Sequence, residues 1–299
     1  LKALLSCGHK ISCVVTQPDK KKGRGLSLGA TAIKELAGEF NLRIYQPENI
    51  NIPEAIKLLK TLNPDLFVVI AYGQILSSGI LNIPKIFSIN VHASLLPKYR
   101  GAAPINWALI KGEETTGITV IKMAKEMDAG PIILQKDIEI SNDDTAITLE
   151  DKISNLAAQL LLATLSSIED NNYNLMPQDE DKVSFAPKLK KEDGRIDWNK
   201  PAQDIYNLIR GCINWPGAFT YYNGKLLKIY RAKVSPLEAL QAPMSPGEIV
   251  KVSKEGITVV TGKDNLIIEE LQIEGKRRMR VEEFIAGHKI CIGEIFNKK

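Results

Sequence analysis

Cysteine and histidine are scarce in this chain: 4 Cys and 3 His in 299 residues. The cysteines, at 7, 13, 212 and 291, form no CxxC pair. Neither His9 nor His288 sits in a Cys/His cluster, so a structural zinc site is not expected. So few scattered cysteines fit a reducing, cytoplasmic setting rather than a disulfide scaffold. No apolar run approaches the roughly 20 residues needed to span a bilayer, so no membrane partner is expected. The start shows no signal-peptide pattern. It reads instead as the last turns of a helix closed by Gly8, followed by a strand. A doubly wound α/β domain opens with a strand, so a further strand is expected upstream of Leu1, on about 15–20 additional residues.

The remaining composition is globular, 44% hydrophobic and 25% charged, at a length that suits two domains. The net charge of +4 is uneven. From Lys182 onward there are 21 Lys and Arg against 14 Asp and Glu, which leaves the earlier part at −3. A basic second half suits a polyanionic partner, and a solvated surface is the alternative.

Up to about residue 170 strands and helices alternate. "ISCVVT", "LFVVIAYG" and "FSINVHAS" read as strands, the second as apolar as a strand buried on both faces. Residues 32–40, "PEAIKLLKTL", "PINWALIKGE" and 145–168 have helical spacing. "GITVIKM" and "PIILQKDIEI" close the region as a pair of strands. This order predicts an α/β domain with a doubly wound, mostly parallel Rossmann-like sheet over residues 1–180. Such sheets bind ligands at the carboxyl ends of their strands. Residues 181–200 read as a linker, and 201–299 as a small OB-like β-barrel. The barrel reading rests on short strands and Gly turns, with Asn223-Gly224 as a hairpin signal.

In "SINVHASLLPKYRGAAPI" (88–105), Asn90 and His92 stand at i and i+2 and therefore share one face of a strand. An imidazole can pass a proton near neutral pH, and an amide N–H can stabilise an oxyanion. The pair suits acyl-type transfer; two satisfied core residues are the alternative. Downstream, "MAKEMDAGPII" sets Asp128 in a turn. There it could orient His92, or it could simply bond its own backbone. "QPDKKKGRGLSL" (17–28) reads as a loop in which Lys20, Lys21, Lys22 and Arg24 lie beside two glycines. It lacks GxxxxGK[ST] and is not a P-loop.

The run "INVHASLLPKYRGAAPI" with "MDAGPI" resembles the folate-dependent formyltransferases, whose mark is Asn-x-His with a downstream Asp. "AYGQIL", "DGRIDW" and "RGCINWPGAF" extend the likeness along most of the chain, closest to the members that act on methionyl initiator tRNA. The resemblance implies transfer of a formyl group from 10-formyltetrahydrofolate to the α-amine of methionine on initiator tRNA. It implies a catalytic trio of Asn90, His92 and Asp128. Asn90 and protonated His92 would stabilise the tetrahedral oxyanion, and Asp128 would orient His92 and help move protons. It also implies folate binding at Ser94, Leu95, Leu96 and Pro97, no metal, and a monomer. Lys20, Lys21, Lys22 and Arg24 match the loop that enters the tRNA acceptor arm. The C-terminal barrel, with "GKRRMR" (275–280), would offer a second backbone-binding surface.

Other family members fit less well. Those acting on glycinamide ribonucleotide are about one domain long. The bifunctional amino-sugar enzymes would need a GxGxxG unit, and the dehydrogenases a much longer chain. A non-catalytic tRNA-binding protein on the same scaffold is the reading from a different class.

Overall fold

The computed structural model describes residues 1–22, 27–236 and 244–296. In chain order its first elements are α1 (Lys2–Ser6), β1 (Val14–Val15), β2 (Lys20–Lys22), β3 (Ser27–Gly29), α2 (Ala32–Glu39), β4 (Ile44–Tyr45), α3 (Pro53–Thr61) and β5 (Leu66–Val69). Then come α4 (Ser78–Leu81), β6 (Phe87–His92), β7 (Arg100–Gly101), α5 (Pro104–Ile110), β8 (Thr115–Lys122), β9 (Ile132–Glu139), α6 (Ala146–Glu169) and β10 (Phe185–Ala186). The last are α7 (Ala202–Gly211), β11 (Ala218–Tyr222), β12 (Lys225–Ser235), β13 (Ile249–Ser253), β14 (Gly256–Val260), β15 (Asn265–Ile273), β16 (Met279–Arg280) and α8 (Val281–Gly287).

The chain divides into two compact units. The first comprises Leu1–Gly101, Gly117–Ile138 and Ile153–Phe185; the second comprises Ala102–Thr116, Glu139–Lys152 and Ala186–Lys299.

The first unit is α/β. Its four-stranded sheet has the order β5-β6-β8-β9. β5 and β6 run parallel with Val69 opposite Asn90, and β6 and β8 run antiparallel with His92 opposite Thr119, so the sheet is mixed. β1 and β4 form a separate parallel pair. α2 starts where its sequence provides a cap: the Thr31 hydroxyl accepts from the Lys34 N–H. α3 starts at Pro53, whose missing N–H costs nothing in a first turn. Its Ala55 and Leu59 pack with Ile50, Leu76, Ile80 and Leu81 in one apolar cluster. β5 is shorter and more open than its apolar run predicts. It ends the sheet path, its four residues are half-buried, and Ile70 beyond it is 52% exposed. A strand paired on one side is covered less than an internal one.

The segment that reads as a loop from Gln17 to Leu28 contains a two-stranded ribbon. Lys20 pairs with Gly29, Lys21 with Leu28 and Lys22 with Ser27. Asp19 fixes its base, accepting from Lys34 Nζ at 2.6 Å and Gln46 Nε2 at 2.8 Å. Arg24 lies outside the described residues.

The second unit is built on an antiparallel sheet, β11-β12-β15-β14-β13, with β16 added beside β15. Asn223 (φ 48°) and Gly224 (φ 75°) make the tight β11–β12 turn, both left-handed as a primed hairpin turn requires. Bulges in β12 near Arg231 and in β13 bend the strands, a device of small barrels. α7 lays Ile205 and Ile209 on Leu227, Ile229 and Leu271. Trp198 fills the centre, stacked on Phe296 at 5.6 Å, and its Nε1–H donates to Thr220 Oγ1 at 3.1 Å. Burying so large a side chain stabilises by about 3 kcal/mol, and the hydroxyl removes the cost of hiding its N–H.

Asp144 in this unit has a side chain only 5% exposed. Burial by itself pushes the carboxyl up, but Lys152 at 2.6 Å, the Ser141 N–H and the Thr148 hydroxyl outweigh it and hold the group below the ordinary carboxylate range. A depressed carboxyl adds stability above its unfolded value of about 3.9, and that stability fades as pH falls through the folded value. Asp144→Asn is therefore expected to be less stable than wild type by about 1–3 kcal/mol at pH 7, with the gap closing in acid once the folded carboxyl is protonated. Urea unfolding of both proteins at pH 7 and in acid checks this; an unchanged gap would remove the ion pair as its source.

Candidate active site

β6 is apolar because it is interior: five of its six residues are buried, and only Asn90 is half-buried. Asn90 and His92 share a face at its carboxyl end, where a sheet of this kind presents chemistry. Asp128 arrives from the turn after β8, in the left-handed region at φ 53°. Its carboxylate joins the other two. Oδ1 accepts from Asn90 Nδ2 at 3.2 Å, and Oδ2 accepts from the Gly101 N–H at 2.9 Å while standing 3.5 Å from His92 Nδ1. The three residues singled out in the sequence are thus brought together within the first unit.

Both nitrogens of the His92 ring have neighbours. Nε2 lies 2.9 Å from the Tyr99 carbonyl oxygen, which can only accept, so the proton sits on Nε2. Nδ1 is left facing Asp128. The ring is 6% exposed and Asp128 12%. The group with a spare donor is Asn90: a carboxamide has two N–H, and the bond to Asp128 uses one. Tyr99 is left-handed too, at φ 62°, and its N–H donates to Ser184 Oγ at 3.0 Å.

The Ser94–Pro97 segment is held from behind. Thr119 Oγ1 donates to the Ser94 carbonyl at 2.6 Å and accepts from the Leu96 N–H at 3.1 Å, while Gln135 Nε2 donates to the Leu96 carbonyl at 3.0 Å. Ser94 is fully buried and its hydroxyl donates to the Lys98 carbonyl at 2.6 Å. Leu96 packs with Ile121 and Ile132. Leu95 and Pro97 are half-buried, so they and the backbone are what this segment can offer a ligand.

Of the basic residues, Lys20 is exposed. Part of the positive charge in the second unit is already paired. Arg231 and Lys233 share Glu269 at 2.8 and 3.1 Å. Arg277 pairs with Glu283, and Arg278 grips Glu270 through Nε and Nη2 while lying 4.4 Å over the Tyr230 ring. Among the described residues no group of His, Cys, Asp and Glu is placed to hold a metal, and no helix is long and apolar enough to cross a membrane.

The residues that side-chain reasoning misses are Tyr99 and Gly101, which act through backbone atoms, and Thr119, Gln135, Arg100 and Gln178, which bond the turns rather than face open space. Tyr99, Arg100 and Gly101 lie in the quoted "KYRGAAPI"; nothing in the sequence marks Gln178.

A mixed α/β unit with an amide, an imidazole and a carboxylate joined at a strand end, in a chain that continues into an antiparallel β unit, defines a group-transfer enzyme of acyl-type chemistry. The comparisons place it more narrowly. Residues 1–165 match the formyl transferase family and residues 188–289 the formyl transferase C-terminal domain. The methionyl-tRNA formyltransferase of Acetivibrio thermocellus is 44% identical over 298 residues, covering 100% of this chain and 95% of that relative. That of Thermodesulfovibrio yellowstonii is 47% identical, covering 98% and 93%. Among solved structures, the N-formyltransferase of Helicobacter canadensis, in complex with folinic acid and dTDP-3-aminofucose, superposes with a TM-score of 0.64 at 20% identity, covering 89% of this chain and 93% of that one. HypX of Aquifex aeolicus with tetrahydrofolic acid gives 0.60 at 17%, covering 86% and 47%. The chain belongs to the formyl transferase family.

Gly130, two residues after Asp128, has no room for a side chain: a Cβ would meet the Lys122 carbonyl oxygen at 1.8 Å. Gly130→Ala is therefore expected to push the Asp128 turn off β8. It should cost about 2–4 kcal/mol in urea unfolding and lower formyl transfer more than tenfold even where the protein is folded. Wild-type stability in this variant would show that the turn yields freely.

Proposed function

We propose that this protein transfers the formyl group of 10-formyltetrahydrofolate to the α-amine of methionyl initiator tRNA, giving the N-formylmethionyl-tRNA that starts translation. The observation that carries the reading is the match over almost the full length to relatives named methionyl-tRNA formyltransferase, at 44–47% identity. The trio supplies its chemistry. The neutral amine attacks the formyl carbon, the carbonyl oxygen takes up negative charge, and the C–N bond to the folate breaks. The amine loses one proton and the departing folate nitrogen gains one.

Asn90 has the N–H that can meet the developing oxyanion, because Asp128 holds its carboxamide with the second N–H left over. His92 enters through Nδ1, the nitrogen beside Asp128, and together they can take the proton from the amine and return one to the leaving nitrogen. Ser94, Leu95, Leu96 and Pro97 would lie along the folate. In that role Thr119 and Gln135 keep the loop in shape, and Leu95 and Pro97 provide the contact surface. No step calls for a metal, since the formyl donor is already activated. Lys20, Lys21, Lys22 and Arg24, in the segment ahead of α2, would contact phosphates of the acceptor arm, and the protein would act as a monomer in the cytoplasm.

The deciding assay is formyl transfer from 10-formyltetrahydrofolate to methionyl initiator tRNA, with glycinamide ribonucleotide and a nucleotide-linked amino sugar as competing acceptors. Strong preference for the tRNA is expected. No transfer to any of the three acceptors would leave the non-catalytic tRNA-binding reading. His92→Ala and Asp128→Ala are each expected to lower kcat at least about a hundredfold. Wild-type turnover in a folded His92→Ala protein would sink the assignment.

Replacing Lys20, Lys21 and Lys22 together by alanine is expected to flatten the salt dependence of tRNA binding by up to about three contacts, at roughly 0.7–0.9 in slope per contact. Arg24→Ala is expected to weaken use of methionyl-tRNA while leaving folate binding nearly unchanged. Measuring kcat/KM across a salt series beside the folate Kd checks both; wild-type kinetics in both proteins would make the ribbon a solvated surface element.

A further inference from the structure

We propose that Gln178 is a positioning residue of the transfer site, its carboxamide clamping the turn that carries Asp128. Arg100 is 6% exposed and Gln178 9%. The Arg100 guanidinium donates to Gln178 Oε1 from Nε at 3.0 Å and from Nη2 at 2.8 Å. It also donates to Glu180 from Nη2 at 2.8 Å and Nη1 at 3.3 Å. Gln178 Nε2 in turn donates to the Asp128 carbonyl and the Gly130 carbonyl, both at 2.7 Å. This fixes which end of the carboxamide is which. Flipped, it would turn N–H groups toward a cation and an oxygen toward two carbonyls.

The clamp matters because of what it holds. Asp128 is left-handed, a conformation most side chains avoid and one that persists where its surroundings over-determine it. Gln178 pins the main chain of that turn on both sides of Ala129. The carboxylate of Asp128 can then reach Asn90, the Gly101 N–H and His92 together. The anchor of the clamp also sits between the other contacts of the site. Arg100 follows Tyr99, whose carbonyl fixes the His92 proton, and precedes Gly101, whose N–H holds Asp128. Gln178 therefore touches no reacting atom and acts through Asp128. The inference rests on the formyl-transfer reading for its kinetic consequence and on the distances alone for its structural one.

Two variants separate the two ends of the carboxamide. Gln178→Ala removes both. Gln178→Glu keeps an acceptor for Arg100 and loses the N–H pair that holds the Asp128 turn. With methionyl-tRNA and 10-formyltetrahydrofolate, both variants are expected to lose at least about tenfold in kcat while KM for either substrate moves less than about threefold, as displacement of a reacting group predicts. Gln178→Glu is expected to be the more heat-stable of the two. The imidazole ¹⁵N resonances of His92 are expected to shift in both, reporting the displaced carboxylate. A Gln178→Glu protein within twofold of wild-type kcat would overturn the proposal, because the anchor on Arg100 alone would then suffice. Lost turnover with unmoved His92 resonances would overturn it as well. Should a variant not fold, the side-chain amide protons of Gln178 in the wild type decide. Slow exchange with solvent supports the clamp, and exchange as fast as at an exposed glutamine refutes it. If the wild type transfers no formyl group, the functional reading fails, while the ¹⁵N and exchange measurements still test the clamp.

Discussion

The Asp128 carboxylate stands almost out of water, and a buried anion is tolerable only where donors surround it. Asn90 and the Gly101 N–H meet that requirement as donors from two different stretches of chain, with the His92 ring standing 3.5 Å away on a third side. Charge-assisted hydrogen bonds of this kind contribute about 1.5–3 kcal/mol each, so one side chain ties the end of β6 and the Gly101 backbone to the turn after β8. Take the carboxylate away and Asn90 loses the partner that orients its amide, while His92 faces nothing on its Nδ1 side. The end of β6 is organised around that single negative charge.

The rest of the first unit can be understood as support for it. The parallel pairing of β5 with β6 and the antiparallel pairing with β8 fix the height of Asn90 and His92 in the sheet. Thr119, opposite His92 on β8, ties down the loop that leaves β6. Gly130 lets the chain pass the Lys122 carbonyl closely enough for Asp128 to reach inward. These are backbone and packing devices, which is how a site keeps its geometry before a substrate arrives.

Sequence patterns carry the strands, helices and hairpin well wherever one periodicity dominates. β6, α3, α6, α7 and the Asn223-Gly224 turn stand where spacing and turn chemistry set them. Asn90 and His92 are visible because polar residues at i and i+2 interrupt an apolar strand. Asp128 is visible only through resemblance, since a lone aspartate before a glycine also reads as an ordinary turn. The β2–β3 ribbon is hidden because lysine and glycine both argue against a strand, and its stability comes from pairing and from the anchor at Asp19. Tyr99 and Gly101 escape notice for a deeper reason: they contribute a carbonyl and an N–H, which every residue has. Gln178 lies in a stretch rich in Pro, Asn and charge, and its place beside Arg100 exists only once the chain is folded.

Tyr99 and Asp128, the two residues that hold His92, are both left-handed without being glycine, at a cost of about 1 kcal/mol each. At Tyr99 the strain is held in place by packing. The residue is 9% exposed, so glycine there would relax the backbone only by emptying the space of its ring, at about 3–5 kcal/mol for a buried aromatic side chain. The buried ring is thus what keeps the carbonyl beside the imidazole in a conformation the main chain alone would leave.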